Sequence, residues 1–99
     1  MNAQSAIECD PIEAFRSWES DAKKAVRRRL MKGITLSALG AVRAKSDAAR
    51  RLYWEANGIA NQWCFAVATV ADLTDIANAV VRLFMTAGAI ERLDGAHGD

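Results

Sequence analysis

Apolar residues recur at intervals of three and four along most of the chain, which is the spacing of one face of an α-helix. The first such stretch follows Asp10-Pro11, where an aspartate can cap a helix and a proline is tolerated in the first turn. It closes near Gly33, a residue type that commonly follows a helix end. The pattern therefore predicts a first helix over residues 11–32.

A second periodic stretch forms a seam from Leu39 to Ala56, whose positions step by three and four and are small in the middle. This spacing is typical of a short coiled coil, and small residues let two helices approach closely. Asn57-Gly58 is a suitable helix end. The pattern predicts a second helix over residues 35–57, and it leaves open a dimer formed through the seam.

The third stretch is the most apolar part of the chain and predicts a helix over residues 59–87 that ends at Gly88. Its polar residues stay on one side, so the wide apolar side is expected to contact two neighbouring helices or a second subunit. Two alternatives remain. Trp63–Ala71 is rich enough in aromatic and β-branched residues to form a strand, and Asp72–Thr74 can break the helix and start a new one. We prefer one long helix because the polar side stays in phase across the candidate break.

Three helices with short connections favour an all-α fold, an antiparallel three-helix bundle that is either monomeric or dimeric. The length of 99 residues suits one domain. We expect a flexible N-terminus over residues 1–9, a single helical domain over residues 10–92 and a flexible tail over residues 93–99.

A local likeness supplies an alternative fold. The segment from Val81 to Arg92 reads VRLFMTAGAIER, which resembles the end of a winged-helix recognition helix running into the first wing strand. The resemblance implies a small winged-helix-like α+β domain. The helical part of this segment carries only Arg82 as a basic residue, whereas most basic residues lie earlier in the chain. We therefore keep the bundle as the main prediction and assign no family.

Charge is distributed very unevenly along the chain. Residues 23–51 contain ten basic residues and one acid, a net +9, whereas residues 1–22 and residues 52–99 each sum to −4. The total of +1 therefore conceals a basic block between two acidic segments. Such a block favours an acidic partner, most often a nucleic-acid backbone.

The basic block defines the candidate binding site. If its residues share one face of the first two helices, they can contact phosphates, and an exposed tryptophan beside them can stack on a base or anchor an interface. The main hypothesis is a small nucleic-acid-binding protein, either a regulator or a subunit of a nucleoprotein complex. The alternative is a protein-interaction module, an adaptor or an inhibitor, that docks on an acidic protein surface. A third interpretation is a solvated face that only maintains solubility. The candidate residues are Lys24, Arg27, Arg28, Lys32, Arg43, Lys45, Arg50, Arg51 and Trp54.

No catalytic set, phosphate-binding loop or metal-ligand spacing is present in the sequence, so we expect neither an enzyme nor a cofactor. Cys9, Cys64 and His97 do not make a zinc site. The N-terminus has no apolar signal region, and the longest uncharged apolar-rich stretch, Gly58 to Ala71, is too short to span a bilayer. We therefore expect a cytoplasmic protein with reduced cysteines and no membrane partner.

Overall fold

Three α-helices form the fold. A computed structural model describes residues 20–98 of the chain, and the side chains of residues 20–93. Helix α1 spans Asp21–Arg43, α2 spans Asp47–Trp63 and α3 spans Val70–Gly98. Every pair of helices is in contact, and residues 20–98 contain no strand. The predicted all-α antiparallel three-helix bundle is confirmed. The predicted helix start at residue 11 and the predicted flexible residues 1–9 lie outside the described residues.

Each helix begins after a hydroxyl side chain that accepts a hydrogen bond from a backbone N–H three residues later. Ser20, Ser46 and Thr69 make this contact, with oxygen–nitrogen distances of 3.2, 3.4 and 3.0 Å. The first turn of each helix also contains an aspartate. A negative charge at this position is favourable because it lies at the positive end of the helix dipole. Local capping chemistry therefore sets where the three helices start.

The predicted boundary between the first and second helices is wrong. Helix α1 continues through Gly33 to Arg43, where residues 35–43 were expected to open the second helix. Gly33 is buried, and a Cβ atom built on it would lie 3.4 Å from Val80 Cγ1, so this glycine permits close packing of α1 on α3. Ser37, near the predicted start of the second helix, is buried within α1 and donates its hydroxyl to Gly33 O at 2.6 Å. Close packing on α3 therefore accounts for Gly33, and a hydrogen bond within α1 satisfies the hydroxyl of Ser37.

The predicted end of the second helix is also wrong. Helix α2 runs through Asn57-Gly58 to Trp63. Asn57 lies inside the helix, and its side-chain amide donates to Ile34 O of α1 at 2.9 Å. The residue that suggested a helix end from sequence is therefore used to join α1 and α2.

The continuous helix predicted over residues 59–87 does not form. The chain leaves the helical conformation over residues 64–69, so the alternative strand over Trp63–Ala71 is wrong. The alternative of a break with a new helix after it is correct in kind, but the new helix starts at Val70 and not at Asp72–Thr74. Arg27 of α1 donates to the backbone oxygens of Cys64 and Ala66 and holds this connection in place. A contact between residues distant in the sequence therefore determines the break.

The last helix is longer than predicted. It passes through Gly88 and continues to Gly98, so residues 81–92 are helical and the winged-helix-like alternative is wrong. The flexibility of residues 93–99 stays a prediction.

Within α3, Val70–Leu93 is 24 residues long with a mean hydropathy of 1.3, which meets the length and composition of a membrane span. This stretch is 22% buried, and α3 contacts both other helices.

Small side chains dominate the core. One cluster lies between all three helices and includes the fully buried Leu30 and Leu73 together with several alanines. A second, smaller cluster consists of Ala44, Ala49 and Ala87, near the α1–α2 turn. Alanines bury little apolar surface individually, so the stability of this bundle depends on close helix approach.

A side chain of α3 fixes the α1–α2 turn. One carboxylate oxygen of Glu91 accepts hydrogen bonds from the backbone N–H groups of Lys45 and Ser46, both at 2.8 Å. Arg50 donates to Ala44 O at 2.8 Å from the other side of the turn. All three residues of the turn, 44–46, are therefore tied to side chains of α2 or α3.

Two glycines in helix interiors test this packing. A Cβ atom at Gly40 would lie 2.6, 2.7 and 2.9 Å from three ring atoms of Tyr53, whereas one at Gly58 meets nothing within 4 Å. We expect Gly58→Ala to stabilise the protein by about 0.5–1 kcal/mol through helix propensity. We expect Gly40→Ala to destabilise it by about 1 kcal/mol or more, because the Tyr53 ring must move. Urea unfolding of both variants measures the difference, and a shift of both in the same direction would contradict the described contact.

Candidate functional site

Three of the predicted basic residues form a row on α1. Lys24 is half-buried, and Arg28 and Lys32 follow at intervals of four residues and are exposed. This spacing places them on one side of the helix, along about 12 Å of its axis. Within the described part of the chain, the one ion pair joins Arg50 and Asp47, so this row makes no ion pair there. The row is therefore a strip of solvent-facing positive charge.

A second basic group lies around the α1–α2 turn. Arg43, Lys45 and Arg51 are exposed there, and Trp54 follows on α2 with 49% of its surface exposed. Arg50 belongs to the same region, but it is engaged with Asp47 at 2.5 Å and with Ala44 O. The two basic groups lie toward opposite ends of α1. The structure therefore separates residues that the sequence placed on a single surface.

Arg27 has a different position from the other candidates. It is only 6% exposed, and its guanidinium donates to Cys64 O and, at 3.0 Å, to Ala66 O. The helix turns Arg27 inward and its neighbour Arg28 outward, since successive residues point about 100° apart. Beside it, burial raises the pKa of the Cys64 thiol, and the positive charge of Arg27 opposes this only in part. The thiol therefore stays protonated near neutral pH, as expected of an inert buried cysteine.

Exposed apolar side chains lie along α1 from the end of the first basic group to the start of the second. Met31, Leu36, Leu39 and Val42 are 43% to 77% exposed. Leu39 and Val42 were expected to belong to the contact seam of the second predicted helix, whereas the structure buries only small seam residues such as Ala49 and Ala56. An exposed apolar strip of this kind commonly marks a contact surface in a small soluble protein.

A groove runs between α1 and α3 along one side of this strip. It consists of two adjoining hollows of about 460 and 330 Å³, both lined by Leu36 and Phe84. Phe84 is held from behind by Tyr53, with ring centroids 5.9 Å apart. The cationic residues that line the groove all come from α1; they are Arg29, Lys32 and Arg43. We call this feature the α1–α3 groove.

One acidic residue, Glu91, lines the described groove, and its carboxylate already accepts the two turn N–H groups. The other exposed acids of α2 and α3 include Glu55, Asp72 and Asp75, none of which lines the groove. The groove therefore combines an apolar floor with positive charge along its α1 edge. It can take an apolar ligand that carries negative charge on one side.

Sequence reasoning missed the groove although its signal was present. Arg29, Lys32, Leu36, Leu39 and Arg43 step by three, four, three and four, which places them along one face of a helix. The false boundary at Gly33 divided this row between two helices.

Residues 20–93 contain no cluster of histidine, cysteine, aspartate and glutamate suited to a metal ion. Comparisons with protein-family models, with curated proteins and with solved structures find no match to this chain.

The buried arginine is a testable part of this arrangement. We expect Arg27→Met to lower the free energy of unfolding by about 3 kcal/mol, because the Cys64 and Ala66 carbonyls lose charge-assisted hydrogen bonds in a desolvated position. The matched control is Arg28→Met, whose exposed side chain should change stability by no more than about 0.5 kcal/mol. Urea unfolding measures both. Equal, small effects would show that Arg27 does not hold the α2–α3 connection.

Proposed function

We propose that this protein is a non-enzymatic protein-interaction module that binds an acidic partner through the exposed surface of α1. The observation that carries the proposal is the order of side chains along that helix. Exposed apolar residues occupy its middle, and cationic residues flank them toward both ends. Protein–protein interfaces have this organisation, an apolar centre with a polar rim.

The apolar centre favours a protein partner over phosphate alone. Val42 is 77% exposed and Met31 is 48% exposed, so water covers much of two large apolar side chains. Burying apolar surface contributes about 25 cal/mol per Å². A phosphate backbone offers charge to the cations but little apolar surface to these residues, whereas a protein surface supplies both.

The charge pattern indicates the kind of partner surface. Arg28 and Lys32 toward one end of α1 and Arg43 and Lys45 toward the other form no ion pair with the described residues. Cations at the edge of an interface mainly speed association and select an oppositely charged partner. We therefore expect an acidic surface with an apolar centre on the partner.

Site-specific photo-crosslinking of the full chain, carried out in the cells that naturally produce it, tests this proposal. A crosslinking residue at position 42 should give a discrete product with another protein, and the product should resist nuclease treatment. The matched control is position 78, since Asn78 is also exposed but lies on α3. The double variant Lys32→Glu/Arg43→Glu should lower the yield at position 42 by about tenfold. Equal yields at positions 42 and 78, or no effect of charge reversal, would refute the proposal.

Nucleic-acid binding is a second candidate, favoured by the row of Lys24, Arg28 and Lys32. The row spans about 12 Å, and phosphates on one strand of a duplex are spaced 3.4 Å apart along the axis. Three cations in such a row can follow a phosphate backbone without reading bases.

Fluorescence anisotropy with random duplex DNA, single-stranded DNA and RNA tests this candidate over a salt series. Three phosphate contacts predict an affinity that falls roughly 40-fold between 50 and 200 mM salt. The triple variant Lys24→Ala/Arg28→Ala/Lys32→Ala should abolish binding, whereas Asp75→Ala, the control on α3, should not weaken it. Absence of binding to all three nucleic acids at low salt would exclude this candidate and leave the protein partner.

A further inference from the structure

The α1–α3 groove is apolar at its floor, cationic at its α1 edge and open to solvent along the described residues. We propose that it is a docking site for an acidic, apolar segment of this same chain, residues 7–19. The proposal does not depend on the identity of any partner protein. It rests on the chemistry of the groove, the composition of the segment and the point at which the segment joins α1.

The segment has the composition that the groove requires. Its large apolar residues provide side chains for the hollows around Leu36 and Phe84. Its charged residues are four acids and one base, so it opposes the charge of the groove edge. The apolar residues are Ile7, Ile12, Phe15 and Trp18, the acids are Glu8, Asp10, Glu13 and Glu19, and the base is Arg16.

The charge pattern also argues against a second copy of the groove face as occupant. Two such faces would bring Arg29, Lys32 and Arg43 of one copy toward the same cations of the other. Like charges placed together across an interface oppose association. The acidic segment instead neutralises the edge cations, because Glu91 is already engaged at the α1–α2 turn and cannot do so.

The segment joins the chain where it can reach the groove. Residue 19 directly precedes Ser20, the N-cap of α1. The near end of the groove, at Arg29, lies about 12 Å further along the helix axis than Asp21. Thirteen residues cover about 20 Å as a helix and up to about 45 Å when extended. A covalent connection of this kind raises the effective concentration of the segment to the millimolar range, so even a weak contact is well populated.

Docking of residues 7–19 in the groove would affect binding of the proposed protein partner. A segment over Leu36 and Leu39 covers apolar surface that the proposed partner uses, and its acids lie against Lys32 and Arg43. The segment therefore competes with the partner for the same residues. Release of the segment would expose the whole surface of α1, so the chain contains its own competitor.

Disulfide trapping in the full chain tests the proposal, because the segment contains the native Cys9. Val81→Cys introduces a thiol beside the groove, and Asn78→Cys introduces a control thiol at an exposed position of α3 outside its lining. Under mild oxidation at micromolar protein, we expect the intramolecular bond from Cys9 to position 81 to form at least tenfold faster than the bond to position 78. Peptide mapping identifies the bond, and circular dichroism verifies that both variants fold.

Charge-reversal variants test whether trapping depends on attraction between the segment and the groove. Arg29→Glu/Lys32→Glu should slow trapping at position 81 about tenfold, and adding Glu8→Lys/Glu13→Lys should restore it. Equal rates at positions 78 and 81 would overturn the proposal, as would trapping that is insensitive to charge reversal. Bonds found only between two chains would also overturn docking within one chain and assign the groove to the segment of a second copy. These outcomes concern the chain alone, so failure here leaves the crosslinking test of the partner surface unaffected.

Discussion

The guanidinium of Arg27 joins the first helix to the connection between the other two. It belongs to α1, and its acceptors, Cys64 O and Ala66 O, lie in the connection between α2 and α3. A buried charge is costly unless hydrogen bonds satisfy it, and carbonyls left free at the end of a helix need donors. One side chain meets both requirements. Three of the eight buried residues in the core cluster beside it are alanines, which contribute little burial each, so this polar contact has a large share in defining the end of the bundle.

The helix boundaries show which part of the fold could not be predicted from the sequence. Helical periodicity identified the fold class correctly, because spacing of apolar residues is a local property that survives folding. The helix boundaries were wrong at Gly33, at Asn57-Gly58 and at Gly88, since each of these glycines or amides lies within a helix. Glycine and asparagine favour helix ends but do not impose them, and tertiary contacts can keep either residue inside a helix. Here Gly33 allows close packing and Asn57 bonds across to Ile34, which are tertiary roles that one sequence does not reveal.

The candidate site shows a related limit. Charge counting placed the basic residues on one face of the first two predicted helices, whereas the structure divides them between α1 and the region of the α1–α2 turn. Arg27 and Arg28 are adjacent in the sequence, yet one is buried in a hydrogen-bonded position and the other faces water. The apolar strip between the basic groups was not predicted, because Leu39 and Val42 have the spacing of a helix contact and the structure leaves them exposed. Exposure of an apolar residue depends on which helix lies opposite, and that follows from the fold.

The α1–α2 turn has an implication for the order of events during synthesis. Its two N–H groups are satisfied by Glu91, which follows Ser46 by 45 residues in the chain. A ribosome adds about 5 to 20 residues per second, so the acceptor is made roughly two to nine seconds after the turn it stabilises. During that interval the Glu91 carboxylate that accepts from the two turn N–H groups is absent, as is the α3 surface that packs against α1 and α2. The turn therefore gains its full set of hydrogen bonds only after α3 has been synthesised.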